Sequence, residues 1–430
     1  MHPPNGPSVA IEVTRGARPM LVLRRSIGQE DFEERFELAP GGILRARRDV
    51  QAAVNVLRRS LRLTLEQPAD WEGVERGLRE LYTVGTATLH QLFGEDGLPR
   101  FINTLHDLLP ELNSAAGGLP EIQLIADTDT VLPIELLPAL MTAEERRPIR
   151  DYPTLQESAS RFLGFSANVR RHIRGGRVTH PPLAQIKGSW VNVFPNAAGL
   201  SVSVFQNATL GSVSIEVGSL QSYGVPHVVV LGPWPGPEET TSDPDGIIAK
   251  ILCENPARPG EFWPHVLHFA CHCRASDDPT EIALLLQGDQ PTSGVDVRLV
   301  ELEARSGVLR IRRPTGEASA PRLPLVFLNA CSSGASEPLT GASLPAFFLR
   351  RGYVGFIGTE TAVPDEVAAE ISSKFYDNFL GGRSLGQSMW LSKWSLLRRY
   401  RNPLGLLYTT YADGDIYVEH ALERNLDHDG

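Results

Sequence analysis

Two uninterrupted apolar runs constrain this chain more than any other feature. Leu325-Val326-Phe327-Leu328-Asn329-Ala330, preceded by Pro324, runs into Cys331-Ser332-Ser333-Gly334, and Val266-Leu267-His268-Phe269-Ala270 runs into Cys271-His272-Cys273. Runs of this length with no polar face read as strands covered on both sides, as in parallel sheets. In open α/β sheets the loops beyond the strands' carboxyl ends form the crevice where ligands and catalytic groups collect. If the two strands share one parallel sheet, His272 and Cys331 leave it on the same rim. A thiol beside an imidazole is the minimum equipment for nucleophilic cysteine chemistry. The other reading of Cys331 is a buried, inert core residue.

The surrounding pattern supports a sheet of this kind. Val228-Val229-Val230-Leu231 reads as a buried strand running into a Pro/Gly-rich loop at 233–245 that overhangs the crevice, and a helix near 245–255 follows. After the His272 strand come Ile282 to Leu286, an arginine-rich loop at 305–323 open to autoprocessing, the Cys331 strand, a helix at 342–351 and the strand Tyr353 to Gly358. Two helices close the chain, and Trp390, Trp394 and Leu397 on the last of them read as core. Strand–helix alternation predicts an α/β fold with a doubly wound, mainly parallel sheet flanked by helices.

Toward the N-terminus, residues 1–7 read as disordered, and Val9 to Val13 with Met20 to Leu23 as a hairpin. Helical periodicity places Val50, Val54, Leu57 and Leu61 on one face, and further helices are expected from about 71 and over 99–112. Ile122 to Ala126 reads as a strand. Val202, Val204, Val213, Ile215 and Val217 alternate with polar residues, which predicts a small β-rich section of half-buried antiparallel strands over 186–218. The expected division is a tail and hairpin at 1–42, a largely helical half at 43–225 and a half bearing both motifs at 226–430.

Composition narrows the function. The 430 residues are 42% hydrophobic and 21% charged, as in globular proteins, and the net charge of -10 argues against a nucleic acid as the direct ligand. The basic clusters Arg45-Ala46-Arg47-Arg48, Arg170-Arg171-His172-Ile173-Arg174 and Arg398-Arg399-Tyr400-Arg401 read as solvated helix faces. Four cysteines form no disulfide framework, and a functional thiol suits a reducing compartment. No signal-peptide core and no membrane-length apolar run stands in the sequence, so a cytoplasmic protein with no membrane partner is expected. His268, Cys271, His272 and Cys273 invite a zinc reading. Side chains alternate across a strand, however, which sends the histidines to one face and the cysteines to the other. No metal or organic cofactor is expected, and His268 reads as a hydrogen-bonded core histidine.

Further landmarks stand around the two motifs. Thr128 to Pro138 includes Pro133-Ile134-Glu135-Leu136-Leu137-Pro138, Gly352 to Asp365 ends in Val363-Pro364-Asp365, and Gly381-Gly382-Arg383-Ser384-Leu385-Gly386-Gln387-Ser388 opens a helix. With Ala330-Cys331-Ser332-Ser333-Gly334 and His272, these resemble the CHAT family of caspase-like cysteine peptidases, relatives of separase, caspases, legumain and gingipain. The resemblance covers about 120–420, with Cys273 standing where the family has glycine. It implies a caspase-like fold whose N-terminal half is pseudo-catalytic, with Cys331 as nucleophile and His272 as acid and base. The backbone N–H groups of Cys331 and Cys273 would form the oxyanion hole, although a cysteine lacks glycine's freedom to take positive φ.

For substrate binding, the resemblance points to Asp365 as a partner for basic P1 side chains. Asn329 stands where some relatives carry an acid. Asp365 also suits a helix cap. The implied activity is limited proteolysis of a protein substrate, such as a gasdermin-like pore former, in a bacterial defence or cell-death pathway. The sequence contains no helical repeat, so an activating partner in trans is expected. The competing reading is an interaction scaffold with weak or lost protease chemistry.

Overall fold

The computed structural model describes residues 8–16, 18–27, 30–61, 65, 70–109, 119–127, 130–138, 147–174, 191–195, 199–207, 210–211, 213–225, 227–231, 244–253, 264–274, 279–287, 294–308, 323–329, 344–412 and 415–419. Cys331 with Ser332 to Gly334, most of the loops expected at 233–245 and 305–323, and Thr128 with Asp129 lie outside the described residues. The chain divides into two compact units, Met1–Gly175 with Gly386–Tyr411, and Gly176–Leu385 with Ala412–Gly430.

The first unit opens with β1 (Ser8–Thr14), β2 (Met20–Ile27) and β3 (Glu30–Glu37), an antiparallel meander. The expected hairpin therefore has a third strand. That strand is mostly charged; its Glu33 accepts from Arg24 of β2 at 2.8 Å, and its Phe36 supplies a buried anchor. Helix α1 (Gly42–Ser60) buries Val50, Val54 and Leu57, one face at helical spacing. Helix α2 (Trp71–Leu108) is capped by Asp70, which accepts from the Gly73 N–H at 3.1 Å. It joins the two helices expected from 71 and 99. Between them Gly94 sits at φ 70° and ψ 179°, a conformation that favours glycine. Then follow β4 (Glu121–Ala126), α3 (Tyr152–Ala159), α4 (Leu163–Ser166) and β5 (Asn168–Ile173), with β1, β4 and β5 running parallel.

Strand β5 corrects one expectation. Arg170 to Ile173 do not form a solvated helix face; they are buried in the sheet. Their acidic partners come from distant segments, invisible to a local reading. Arg170 pairs with Glu121 at 3.4 Å and Arg174 with Glu12. Arg171 forms a bidentate pair with Glu135, at 2.9 and 2.7 Å, and donates to the Tyr411 hydroxyl at 2.8 Å. Glu135 lies in the short turn Ile134–Leu136, so this pair pins that turn to the strand.

The second unit contains β6 (Val191–Phe194), β7 (Ser201–Gln206), α5 (Val213–Ser222), β8 (His227–Leu231), α6 (Pro244–Ile251), β9 (Val266–Ala270) and β10 (His272–Arg274). It continues through β11 (Ala283–Gln287), β12 (Gly294–Arg298), α7 (Leu299–Val308), β13 (Leu323–Leu328), α8 (Leu344–Arg351), β14 (Tyr353–Thr359) and α9 (Asp365–Leu380). Helix α10 (Leu385–Tyr400) and β15 (Tyr408–Ala412) return the chain to the first unit, where Tyr411 pairs with Arg171 of β5. Strand β16 (Asp415–Val418) pairs with β6 in the second. Strands β14, β13, β9, β7 and β8 lie in that order and pair in parallel throughout. Strands β10, β11 and β12 form a separate antiparallel sheet.

Two further expectations are overturned here. The section at 186–218 is not a small antiparallel insertion, because β7 is an inner strand of the parallel sheet and residues 213–222 form a helix. Val213, Glu216 and Leu220 are buried at helical spacing, while Ile215 points to solvent. Strand β8 is not buried on both faces. It ends the order of the sheet, leaving Val229 54% and Val230 37% exposed.

Replacing Glu135 by glutamine leaves the buried Arg171 guanidinium without its countercharge, which should cost about 3–5 kcal/mol of stability. Thermal or urea unfolding measures this, and a loss under about 1 kcal/mol would mean the pair contributes little.

Candidate active site

The two motif strands are neighbours. Strand β13 pairs with β9 in parallel, Leu325 opposite Val266 through Leu328 opposite Phe269, and the Asn329 N–H donates to the Phe269 carbonyl at 2.9 Å. The expectation that both motifs leave one parallel sheet at the same end holds as far as Asn329, two residues short of Cys331.

On the histidine side the strand breaks at Cys271. The chain leaves the parallel sheet there and enters β10, where His272 stands opposite Leu285 and Cys273 opposite Leu284. Asn207, buried at the end of β7, holds this exit. Its backbone N–H donates to the Ala270 carbonyl at 2.8 Å and its side chain to the Leu285 carbonyl at 3.2 Å.

His272 is half-buried, and its Nδ1 is closed to water with no hydrogen-bond partner among the described residues. Desolvation holds its pKa below the ordinary histidine value, and the nearby Asp365 carboxylate acts in the opposite direction. Asp365 is the first residue of α9. The cap position belongs to Pro364 and no side chain bonds the helix end, so the cap reading of Asp365 does not hold. Cys273 is an extended strand residue and is not among those with positive φ, so its backbone does not need glycine.

The three cysteines among the described residues all have raised thiol pKa values. Burial pushes Cys253 and Cys273 up to about 12, and Cys271 rises well above the ordinary thiol range through burial, then Cys273 and Glu216. Asn329, expected beside the substrate, is 1% exposed. Its amide donates to Glu216 Oε2 at 2.7 Å and to the Ala368 carbonyl at 3.0 Å, which commits it to the interior. His268 is a hydrogen-bonded core residue as expected, between Glu216 and the Tyr376 hydroxyl. Among the described residues no group of three or more His, Cys, Asp or Glu side chains is placed to hold a metal ion.

A family model for the CHAT domain matches residues 139–403, well over half of the chain. The chain belongs to the CHAT domain family. A 156-residue stretch is 33% identical to a protein of Vitiosangium sp. (strain GDMCC 1.1324) described as a probable protease, covering 36% of this chain and 19% of that one. The matched stretch thus spans about a fifth of that relative's length. Among solved structures, the Saccharomyces cerevisiae separase–securin complex aligns with a TM-score of 0.42 and 11% identity over 96% of this chain and 30% of that one. The Arg-specific cysteine proteinase gingipain R aligns with a TM-score of 0.42 and 11% identity, over 76% and 69%.

Two CHAT landmarks now have physical roles. Glu135 neutralises the buried Arg171, and Asp365 opens α9 within electrostatic range of His272. The sequence reading missed Asn207 and Glu216. Neither stands in a motif, and an acid in an apolar helix face is the sort of signal that would have found Glu216.

At pH 7.5, iodoacetamide should modify Cys253 and Cys273 roughly a thousandfold more slowly than an unperturbed thiol, because so little thiolate is present. Peptide mapping over time checks this. In Asp365→Asn the His272 imidazole should titrate at lower pH than in the wild type, since the anion favouring imidazolium is gone. An unchanged midpoint in an NMR titration would remove Asp365 from the surroundings of His272.

Proposed function

We propose that the chain is a caspase-like cysteine endopeptidase in which Cys331 is the nucleophile and His272 the acid and base. The observation that supports it best is the parallel register of β9 and β13. Cys331 follows Asn329 by two residues, at most about 7 Å of chain. His272 follows Ala270 by the same number. Membership of the CHAT family supports the same assignment.

In this reading the half-buried imidazole, held below its usual pKa, takes the thiol proton. The thiolate attacks the scissile carbonyl, and the backbone N–H groups of Cys331 and Cys273 receive the oxyanion. His272 then gives its proton to the leaving amine, and water releases the acyl group from the sulfur. Asp365 favours the imidazolium that forms in between. It also offers a carboxylate to an arginine or lysine at P1.

We further propose limited proteolysis of a partner protein, of the gasdermin-like pore-former class, in a bacterial defence or cell-death pathway in the cytoplasm, with an activating partner in trans. A relative described as a probable protease supports the peptidase part of this reading. No helix among the described residues is long and apolar enough to cross a membrane.

Cleavage-site profiling of a proteome-derived peptide library by mass spectrometry tests the chemistry. The expected result is cutting after arginine or lysine that falls by at least about a thousandfold in Cys331→Ala. Cleavage that persists in this variant would exclude Cys331. No cleavage by either form, with or without candidate activators, would favour the scaffold reading.

A further inference from the structure

Beside the two strand ends lies a buried polar cluster that the proposed peptidase chemistry does not use. Glu216 of α5 is 2% exposed, and its Oε2 receives hydrogen bonds from two strands. His268 Nε2 of β9 and Asn329 Nδ2 just beyond β13 both lie at 2.7 Å. Helix α9 joins the cluster twice, through the Ala368 carbonyl at 3.0 Å from Asn329 Nδ2 and through the Tyr376 hydroxyl at 3.1 Å from His268 Nδ1. Helix α5 seats there by apolar packing, its Val213 clustering with Leu210 just before the helix, Ala270 and Ala368, and by a Ser219–Ser373 hydroxyl contact at 3.2 Å.

Each residue of the proposed site is a short step along the chain from this cluster. His272 comes four residues after His268, Cys331 two after Asn329, and Asp365 three before Ala368. A carboxylate is costly to bury, and well-packed apolar residues could fill the same space at no loss of stability. The backbone ladder sets the register of β9 and β13, and a single oxygen bonded by side chains from both strand ends adds a directional tie between them and α5 that apolar packing would not supply.

We propose that Glu216 is a positioning residue for the cysteine–histidine pair. Its Oε2 ties His268 of β9 to Asn329 just beyond β13, and through Asn329 to the first turn of α9, so that the segments leading to His272, Cys331 and Asp365 are held together. The proposal rests on the peptidase reading and assigns the residue before the Ala-Cys pair to support instead of to P1 recognition.

The test compares the full-length wild type with Glu216→Gln and Tyr376→Phe. Three quantities are measured: kcat and KM on the best peptide of the cleavage profile, the rate of Cys331 alkylation by iodoacetamide, and thermal unfolding. Glutamine keeps the shape of Glu216 but loses the anionic acceptor shared by both donors. A displaced dyad should lower kcat on the order of 100-fold with KM changed less than about twofold, and slow Cys331 alkylation, in protein still folded at the assay temperature. Tyr376→Phe, which removes one hydroxyl from His268, should lower kcat roughly fivefold and decides the matter if Glu216→Gln does not fold. Full kcat per folded molecule, with only the melting temperature lowered, would overturn the proposal and make the cluster plain core. A wild type that neither cuts peptides nor labels rapidly at Cys331 would instead bring down the peptidase reading, and this proposal with it.

Discussion

The parallel pairing of β9 with β13 is the constraint on which the rest of the second unit depends. Once Leu325 faces Val266 and the ladder runs on to the Asn329 N–H, the relative height of the two strand ends is set, and a one-residue slip would turn every side chain to the opposite face. Strand β7 on the other side of β9 fixes the exit of the histidine, because Asn207 closes the last rung and also reaches β11. The turn at Cys271 that follows places His272 in a different sheet from the strand that delivers it.

The strands that carry the motifs were legible because nothing in them competes. Val266 to Ala270 and Leu325 to Leu328 are buried on both faces, and an unbroken apolar run is what such a position requires. Position within a sheet was less legible. Strand β8 is as apolar as β9, yet it lies at the edge, since strand order follows from pairing partners remote in sequence. Residues 213–222 were misread because Val213, Ile215 and Val217 alternate with polar side chains. Helical burial of Val213, Glu216 and Leu220 outweighs that pattern once α9 packs against them. The charges of β5 misled in the same way, their partners being Glu12, Glu121 and Glu135. Of the candidate site, His272 and Asp365 were readable as motif residues. The inward commitment of Asn329 was not, because it depends on a glutamate 113 residues away.

Both units bury a glutamate, and they satisfy it differently. Glu135 faces a guanidinium in a bidentate pair with a tyrosine hydroxyl behind it, a charge-for-charge solution whose strength depends on both partners remaining. Glu216 faces an imidazole and an amide, neither a permanent cation, and so relies on hydrogen-bond direction. The first arrangement fastens a turn to a strand. The second joins two strands and a helix at one oxygen.

The return of α10 and β15 to the first unit has a consequence for biosynthesis. Arg171 lies among the first 175 residues, but the hydroxyl that completes its coordination belongs to Tyr411, 240 residues later, and β15 is a strand of the same sheet. During translation the N-terminal segment therefore leaves the ribosome with an open sheet edge beside a buried arginine, and must wait while the whole motif-bearing segment is synthesised. Folding cannot proceed strictly from the first residue to the last. A nascent chain stalled before Gly386 would leave that edge unpaired, and an unpaired strand edge is a template for misassembly.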